Sequence, residues 1–237
     1  MTEAHQVLVS ASILNADFSR LDRVVHKMER AGADRLHLDV MDGNFVDNIT
    51  FGPDVVAAFR RLTDMPLGVH LMINEPARYM ARFIEAQPQT ITFHVETGES
   101  AERKTEAIEA IHAAGQGAGL AVSPDTPVSA VEPWLSELDV IMIMSVYPGW
   151  GGQGFIPETA PKIAEARARL AQAGRGGLVH VDGGVNSKTA EIVGAEGIDV
   201  CIVGSALFQR GSDASQEVEL VKERALRGYA DATAGTR

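Results

Sequence analysis

Leu36-His37-Leu38-Asp39-Val40-Met41-Asp42-Gly43 is an apolar run with a polar or sulfur-bearing side chain at every second place. Read as a short buried strand over 36–41, it turns His37, Asp39 and Met41 to one face and Leu36, Leu38 and Val40 to the other, because alternate side chains of a strand share a face. An imidazole and a carboxylate then lie together on an inner face, where either one left without a partner costs several kcal/mol. The same pattern recurs at His70-Leu71-Met72 and at His180-Val181-Asp182, so three strands carry a histidine followed two places later by Asp or Met. One such histidine reads as a hydrogen-bonded core residue. Three of them with two aspartates point towards a metal site.

Outward from this stretch the chain alternates strand and helix. Strands are expected at 7–14, 36–41, 67–72, 90–95, 119–122, 140–145, 178–182 and 200–203. Helical spacing fills the intervals, as with Leu21, Val24, Val25 and Met28, or Val55, Val56, Phe59 and Leu62 behind Pro53. Further helices are expected at 76–86, 101–114, 128–135, 160–173, 187–195 and 215–228. Eight such pairs without a linker or composition break describe one α/β domain over 1–237, a single (β/α)₈ TIM barrel ending in a frayed tail at 230–237. A doubly wound sheet shares the alternation. It lacks support here, because no first strand leads into G-x-G-x-x-G and because the polar residues sit at the C-terminal ends of several separate strands.

With 237 residues, 45% of them hydrophobic, the chain can bury a full core. A formal charge of −11 and the absence of a basic cluster set the protein's own field against nucleic-acid backbones, although one local site can still hold a small anion. Cys201 is the only cysteine, so an internal disulfide is excluded. The first residues have no basic and apolar leader pattern, and no run reaches the ~18 apolar residues of a membrane span, so the expectation is a cytoplasmic protein with no membrane partner.

In a barrel the strands carrying His37, Asp39, His70 and Asp182 open at one mouth. Two imidazoles and two carboxylates form a mixed N/O set suited to one divalent ion of the Zn²⁺, Fe²⁺, Mn²⁺ or Co²⁺ type. Asp39 and Asp182 would each be able to exchange a proton with a ligand lying over the metal, as removal from one face of a carbon and return to the other requires. Gly149, Gly151 and Gly152 follow strand six, Gly183 and Gly184 follow strand seven, and Gly204 and Ser205 follow strand eight. Turn glycines are common, but three clusters after consecutive strands favour a phosphate wrapped by backbone N–H groups. Trp150 and Phe155 read as cover for that site. Met41, Met72 and Met144, also at strand ends, read either as a polarizable floor beneath a substrate or as gap-filling core.

These motifs together are recognisable. Ser12-Ile-Leu-Asn-Ala-Asp-Phe, His37-x-Asp-x-Met-Asp-Gly-x-Phe-Val, His70-Leu-Met, Met144-Ser-Val-x-Pro-Gly-x-Gly-Gly-Gln-x-Phe, Val181-Asp-Gly-Gly-Val and Gly204-Ser-Ala-x-Phe resemble the ribulose-phosphate 3-epimerase family over about 7–210. The resemblance implies one divalent metal on His37, Asp39, His70 and Asp182, with Asp39 and Asp182 as the acid/base pair. It further implies substrate contacts from Ser12 and the glycine clusters, a small phosphorylated sugar as substrate, and a homo-oligomer, and beside these His70 and the three methionines are taken as substrate contacts. The implied reaction is 3-epimerisation of a ketose phosphate through a metal-stabilised enediolate, with D-ribulose 5-phosphate and D-xylulose 5-phosphate as the expected pair. The alternatives are another ketose phosphate, such as allulose 6-phosphate, and a non-catalytic phosphosugar-binding barrel. This chain departs from the usual family pattern at Asn44, Asp47, Tyr147, Trp150 and His180, all away from the two aspartates and the metal set. A Schiff-base aldolase would need a lysine at a strand end, yet Lys27, Lys104, Lys162, Lys188 and Lys222 all fall outside the expected strands.

Overall fold

The computed structural model describes residues 5–174, 176–209 and 211–234. Strands β1 (Leu8–Ser12), β2 (Arg35–Met41), β3 (Leu67–Met72), β4 (Thr90–His94), β5 (Gly117–Val122), β6 (Val140–Met144), β7 (Leu178–Asp182) and β8 (Val200–Val203) pair in chain order and close β8 onto β1. Every pairing is parallel, as strand-helix alternation demands, so a (β/α)₈ barrel results. Helices α1 (Leu21–Arg30), α2 (Pro53–Leu62), α3 (Pro76–Glu85), α4 (Ala101–Ala113), α5 (Pro161–Gln172), α6 (Ala190–Ala195), α7 (Ser205–Phe208) and α8 (Ala214–Ala234) lie outside it. Among the described residues no helix is long and apolar enough to cross a membrane.

Strand alternation divides the core in two. Outward side chains such as Leu36, Leu38, Val40, Leu71 and Phe93 pack against helix faces carrying Val25, Met28, Val56 and Phe59, forming one large apolar cluster. Inward side chains such as Val140, Met142, Met144 and Ile202 fill part of the barrel. Polar groups occupy the rest of the lumen, including Arg35, His37, His70, Thr92 and His180. The single thiol, Cys201, faces the outer core, and burial pushes it up to about 12, so it stays protonated.

Element ends depart from the expectations where side chains compete with the backbone. The first strand stops at Ser12, because the Ser12 hydroxyl turns back to cap a 3-10 turn over Ile13–Asn15. The helix expected from 187 begins at Ala190. The Asn186 and Thr189 side chains instead accept the backbone N–H groups of Lys188 and Asn186 and form a turn. The fifth crossover, expected as a short helix, is 3-10 over Val128–Trp134, with Pro133 inside it. The short helix α7 was not expected at all. Residues 230–234 are helical, contrary to the expected fraying; residues 235–237 lie outside the described set.

Candidate active site

Register assembles the site. The β2–β3 ladder pairs Asp39 with His70 and Met41 with Met72, and the β6–β7 ladder pairs Met144 with Asp182. His37, one inward position below Asp39 on the same strand, completes the group. Nitrogen and carboxylate oxygen atoms from His37, Asp39, His70 and Asp182 all lie within 4.8 Å of one another. His37 Nε2 and His70 Nδ1 each stand 3.1 Å from Asp39 Oδ1, and 3.7 Å and 3.5 Å respectively from Asp182 Oδ2. The donor set that the sequence points to is therefore brought together.

These distances fit a cation. Two imidazole nitrogens converge on carboxylate oxygens from two strands, and this pattern of lone pairs leaves a shared negative focus that protons satisfy only in part. Burial alone would raise the Asp39 carboxyl, but the charges and hydrogen bonds of His37 and His70 hold it well below the usual carboxylate range. For His70 burial works the other way, and the hydrogen bonds to Asp182 and Asp39 push it up to about 9.

Above this cluster lies an open cleft. Ser12, Asp39 and Asp182 line it, as do Met41, Met72 and Met144 and the glycines and serine after β6, β7 and β8: Gly149, Gly151, Gly152, Gly183, Gly184, Gly204 and Ser205. His37 and His70 are not among the lining residues; His70 has no exposed surface and sits beneath the floor. Ser12 donates to Asp39 Oδ2 at 2.8 Å, so its hydroxyl fixes the carboxylate oxygen that the histidines leave free. The methionines answer to both of their readings. All three line the cleft and all are buried, Met41 and Met72 packing with Val46, and Met144 with Met142 and Val146.

The glycine pair after β7 adopts φ of +118° and +65°, and a Cβ at Gly184 would stand 2.4 Å from the Phe155 backbone N. No side chain fits there, which lets the β6 and β7 loops meet at the cleft wall. Gly184→Ala should cost about 1–3 kcal/mol of stability through strain alone. Urea unfolding measures it, and a midpoint matching wild type would show that the loops separate freely.

Two features lay outside the sequence reading. Ser145, buried at the end of β6, donates its hydroxyl to the backbone oxygens of Asp182 and Gly183 and so anchors the second aspartate. His94, at the inward end of β4, reaches His70. The signal was present in His94-Val95-Glu96, which repeats the histidine-x-carboxylate spacing of β2. Conversely, His180 joins no cluster. It lies one inward position below Asp182, its Nε2 has no partner among the described residues, and burial together with Arg35 and His37 keeps it well below the ordinary histidine range.

Among the departures, Asn44 and Asp47 are exposed and do not line the cleft, whereas Tyr147 and Trp150 do. Tyr147 donates its hydroxyl to Asp125 at 3.0 Å, and Gln153 ties the Tyr147 and Trp150 backbone oxygens together.

Among solved structures a 3-hexulose-6-phosphate synthase superposes with a TM-score of 0.69 over 92% of this chain and 99% of its own, at 12% identity, a likeness of fold alone. Sequence likeness goes further. The ribulose-phosphate 3-epimerase of Bacillus subtilis (strain 168) is 42% identical over 203 residues, covering 85% of this chain and 92% of its own. That of Rhodobacter capsulatus is 40% identical over 232 residues, covering 98% and 99%. The sequence pattern of the family itself matches residues 8–208, a span containing every residue of the cluster and of the glycine loops, and on this ground the chain belongs to the ribulose-phosphate 3-epimerase family of isomerases.

Proposed function

We propose that the protein interconverts the C3 epimers of a ketose phosphate, with D-ribulose 5-phosphate and D-xylulose 5-phosphate as the first pair to test. One observation carries the reading: two aspartates from different strands share a pair of imidazoles directly beneath a cleft walled by three glycine loops. His37, Asp39, His70 and Asp182 would hold one divalent ion of the Zn²⁺, Fe²⁺, Mn²⁺ or Co²⁺ type. When bound, such an ion supplies positive charge where negative charge develops on substrate oxygens.

The remaining work falls to the chain. Asp39 is oriented, its Oδ2 by Ser12 and its Oδ1 by the histidines, which also hold its carboxyl below the usual range, so it enters the reaction as a carboxylate. Asp182 reaches the cleft from β7, which β8 and β1 separate from β2 in the ring. One carboxylate takes the C3 proton and the other delivers a proton to the opposite face, the roles reversing for the reverse reaction. Backbone N–H groups of the β6, β7 and β8 loops would wrap the phosphate, and the methionines keep the reacting carbon away from bulk water. The homo-oligomer implied by family resemblance belongs to the same proposal, and light scattering of the purified chain tests it.

Turnover of ribulose 5-phosphate by metal-loaded protein, with solvent deuterium appearing at C3, is the direct test. Ligand binding without such exchange would replace the reading with that of a phosphosugar-binding barrel. A longer ketose phosphate is the second reading, favoured by the cleft positions of Tyr147 and Trp150. Tyr147→Asn should shift the kcat/KM ratio between five- and six-carbon ketose phosphates by about 1–3 kcal/mol, the usual worth of one carbon in a pocket. An unchanged ratio would mean that Tyr147, held by Asp125, stays clear of the sugar.

A further inference from the structure

A chain of hydrogen bonds leads from the cluster to the end of β4 and the loop after it. His70 Nε2 stands 3.0 Å from His94 Nε2, and His94 Nδ1 stands 3.0 Å from Glu96 Oε2. Both imidazoles have no exposed surface, their rings lie nearly parallel with centroids 5.0 Å apart, and Phe45 covers His94 at 4.7 Å. The other oxygen of Glu96 accepts the Ser123 N–H at 2.6 Å. Burial would raise the Glu96 carboxyl, but the His94 hydrogen bond and charge, with help from Thr126 and Ser123, bring it down to about 2.

The direction of each bond follows from what each atom can do. An ionised carboxylate only accepts, so His94 Nδ1 carries the hydrogen. A buried imidazole that spends its one hydrogen on the Nδ1 bond to Glu96 keeps a lone pair on Nε2. Its Nε2 is therefore an acceptor, and the only donor facing it is His70 Nε2–H. Once a cation replaces the Nδ1 proton, that assignment leaves the Nδ1 lone pair of His70 on the side of Asp39 and Asp182. The opposite polarity would put a hydrogen on Nδ1 and close it to a cation.

We infer that His94 and Glu96 are positioning residues, which lock His70 in the tautomer whose Nδ1 can ligate a divalent metal. The inference rests on the metal site proposed above and extends it to two residues that touch neither substrate nor ion. An outer carboxylate behind a ligating histidine is a general device for fixing ring orientation and basicity. Here a second imidazole relays it. Glu96→Gln keeps the shape but also offers an amide donor. With that donor on His94 Nδ1, the His94 hydrogen moves to Nε2, His70 becomes the acceptor, and the lock is lost.

The test compares full-length wild type with Glu96→Gln, Glu96→Asp and His94→Phe, each stripped of metal. Co²⁺ and Zn²⁺ affinities are measured by competition with a chromophoric chelator, and the His70 tautomer is read by ¹⁵N NMR of the zinc-loaded protein. Glu96→Gln and His94→Phe should weaken metal binding about 10–100-fold, with kcat largely recovered at saturating metal and Glu96→Asp lying between. Wild type should show the hydrogen on His70 Nε2, and Glu96→Gln should show a mixture. If Glu96→Gln binds metal within twofold of wild type with an unchanged His70 tautomer, the positioning role is overturned. Should His94→Phe not fold, Glu96→Gln decides alone. If wild type itself binds no metal through His37, Asp39, His70 and Asp182, the underlying site reading fails first, a result distinct from wild-type binding that the variants leave unaltered.

Discussion

Asp39→Asn and Asp182→Asn should each lower kcat for C3 epimerisation by at least about 10³-fold, because each removes an acid/base group, typically worth ~10²–10⁴, and weakens a metal donor as well. Asn keeps the volume and one acceptor oxygen, so the barrel should persist. Asp39→Asn carries a further signature. The Asp39 carboxyl is depressed in the folded chain, so its stabilising contribution is present above its unfolded value of 3.8 and is lost only as pH falls from there through the lower folded value. The metal-free variant should accordingly unfold at lower urea than wild type at pH 7, and the gap should narrow only in strong acid. Urea midpoints at pH 7 and pH 3, alongside steady-state rates, check both halves. Residual turnover within tenfold of wild type in either variant would rule out the two-carboxylate scheme.

Removing the metal should abolish turnover without unfolding the chain, and the pH dependence of reloading should identify His70. In the metal-free site His70 is pushed up to about 9 by Asp182 and Asp39, against the effect of burial. A cation must therefore displace that proton at lower pH, and apparent affinity should rise about tenfold per pH unit up to about pH 9 and then level off. The same shift has the opposite sign for the metal-free fold. A raised histidine contributes stability that is fully present below its unfolded value of 6.5 and is lost as pH climbs through about 9. Metal-free protein should thus lose stability between those values while metal-loaded protein gains, since a ligand that binds only the folded chain stabilises it. Chelator competition and thermal melts across pH 6–10 measure the two trends. Full activity after exhaustive chelation would discard the metal; affinity flat with pH would discard His70 as a ligand.

The arrangement of the lumen also bears on how this site is held. Its floor is a set of polar groups, and each leans on another: Ser12 on Asp39, Ser145 on the Asp182 backbone, Glu96 on His94. Buried polar networks of this kind are stable only when their members are satisfied. The unpartnered Nε2 of His180 sits one inward position further down, outside that network.

The sequence by itself determined the barrel and the polar strand ends from which the cluster is drawn. Both follow from local periodicity: a period of two assigns faces within one strand, and polar residues recurring at successive strand ends can meet only at the mouth of a closed parallel sheet. The element ends were less legible, because Ser12, Asn186 and Thr189 use their side chains to redirect the backbone in ways that hydrophobic spacing does not record. What only the tertiary structure decided is depth and neighbourhood. His37, His70, His94 and His180 look alike as strand histidines, yet two enter the cluster, one backs it and one is left below. Inter-strand register makes that choice, pairing Asp39 with His70 and His70 with Thr92, so that His94 stands one pair higher and meets the far nitrogen of His70. Register is a property of the closed barrel, shared among all its ladders, and so no single strand's sequence contains it.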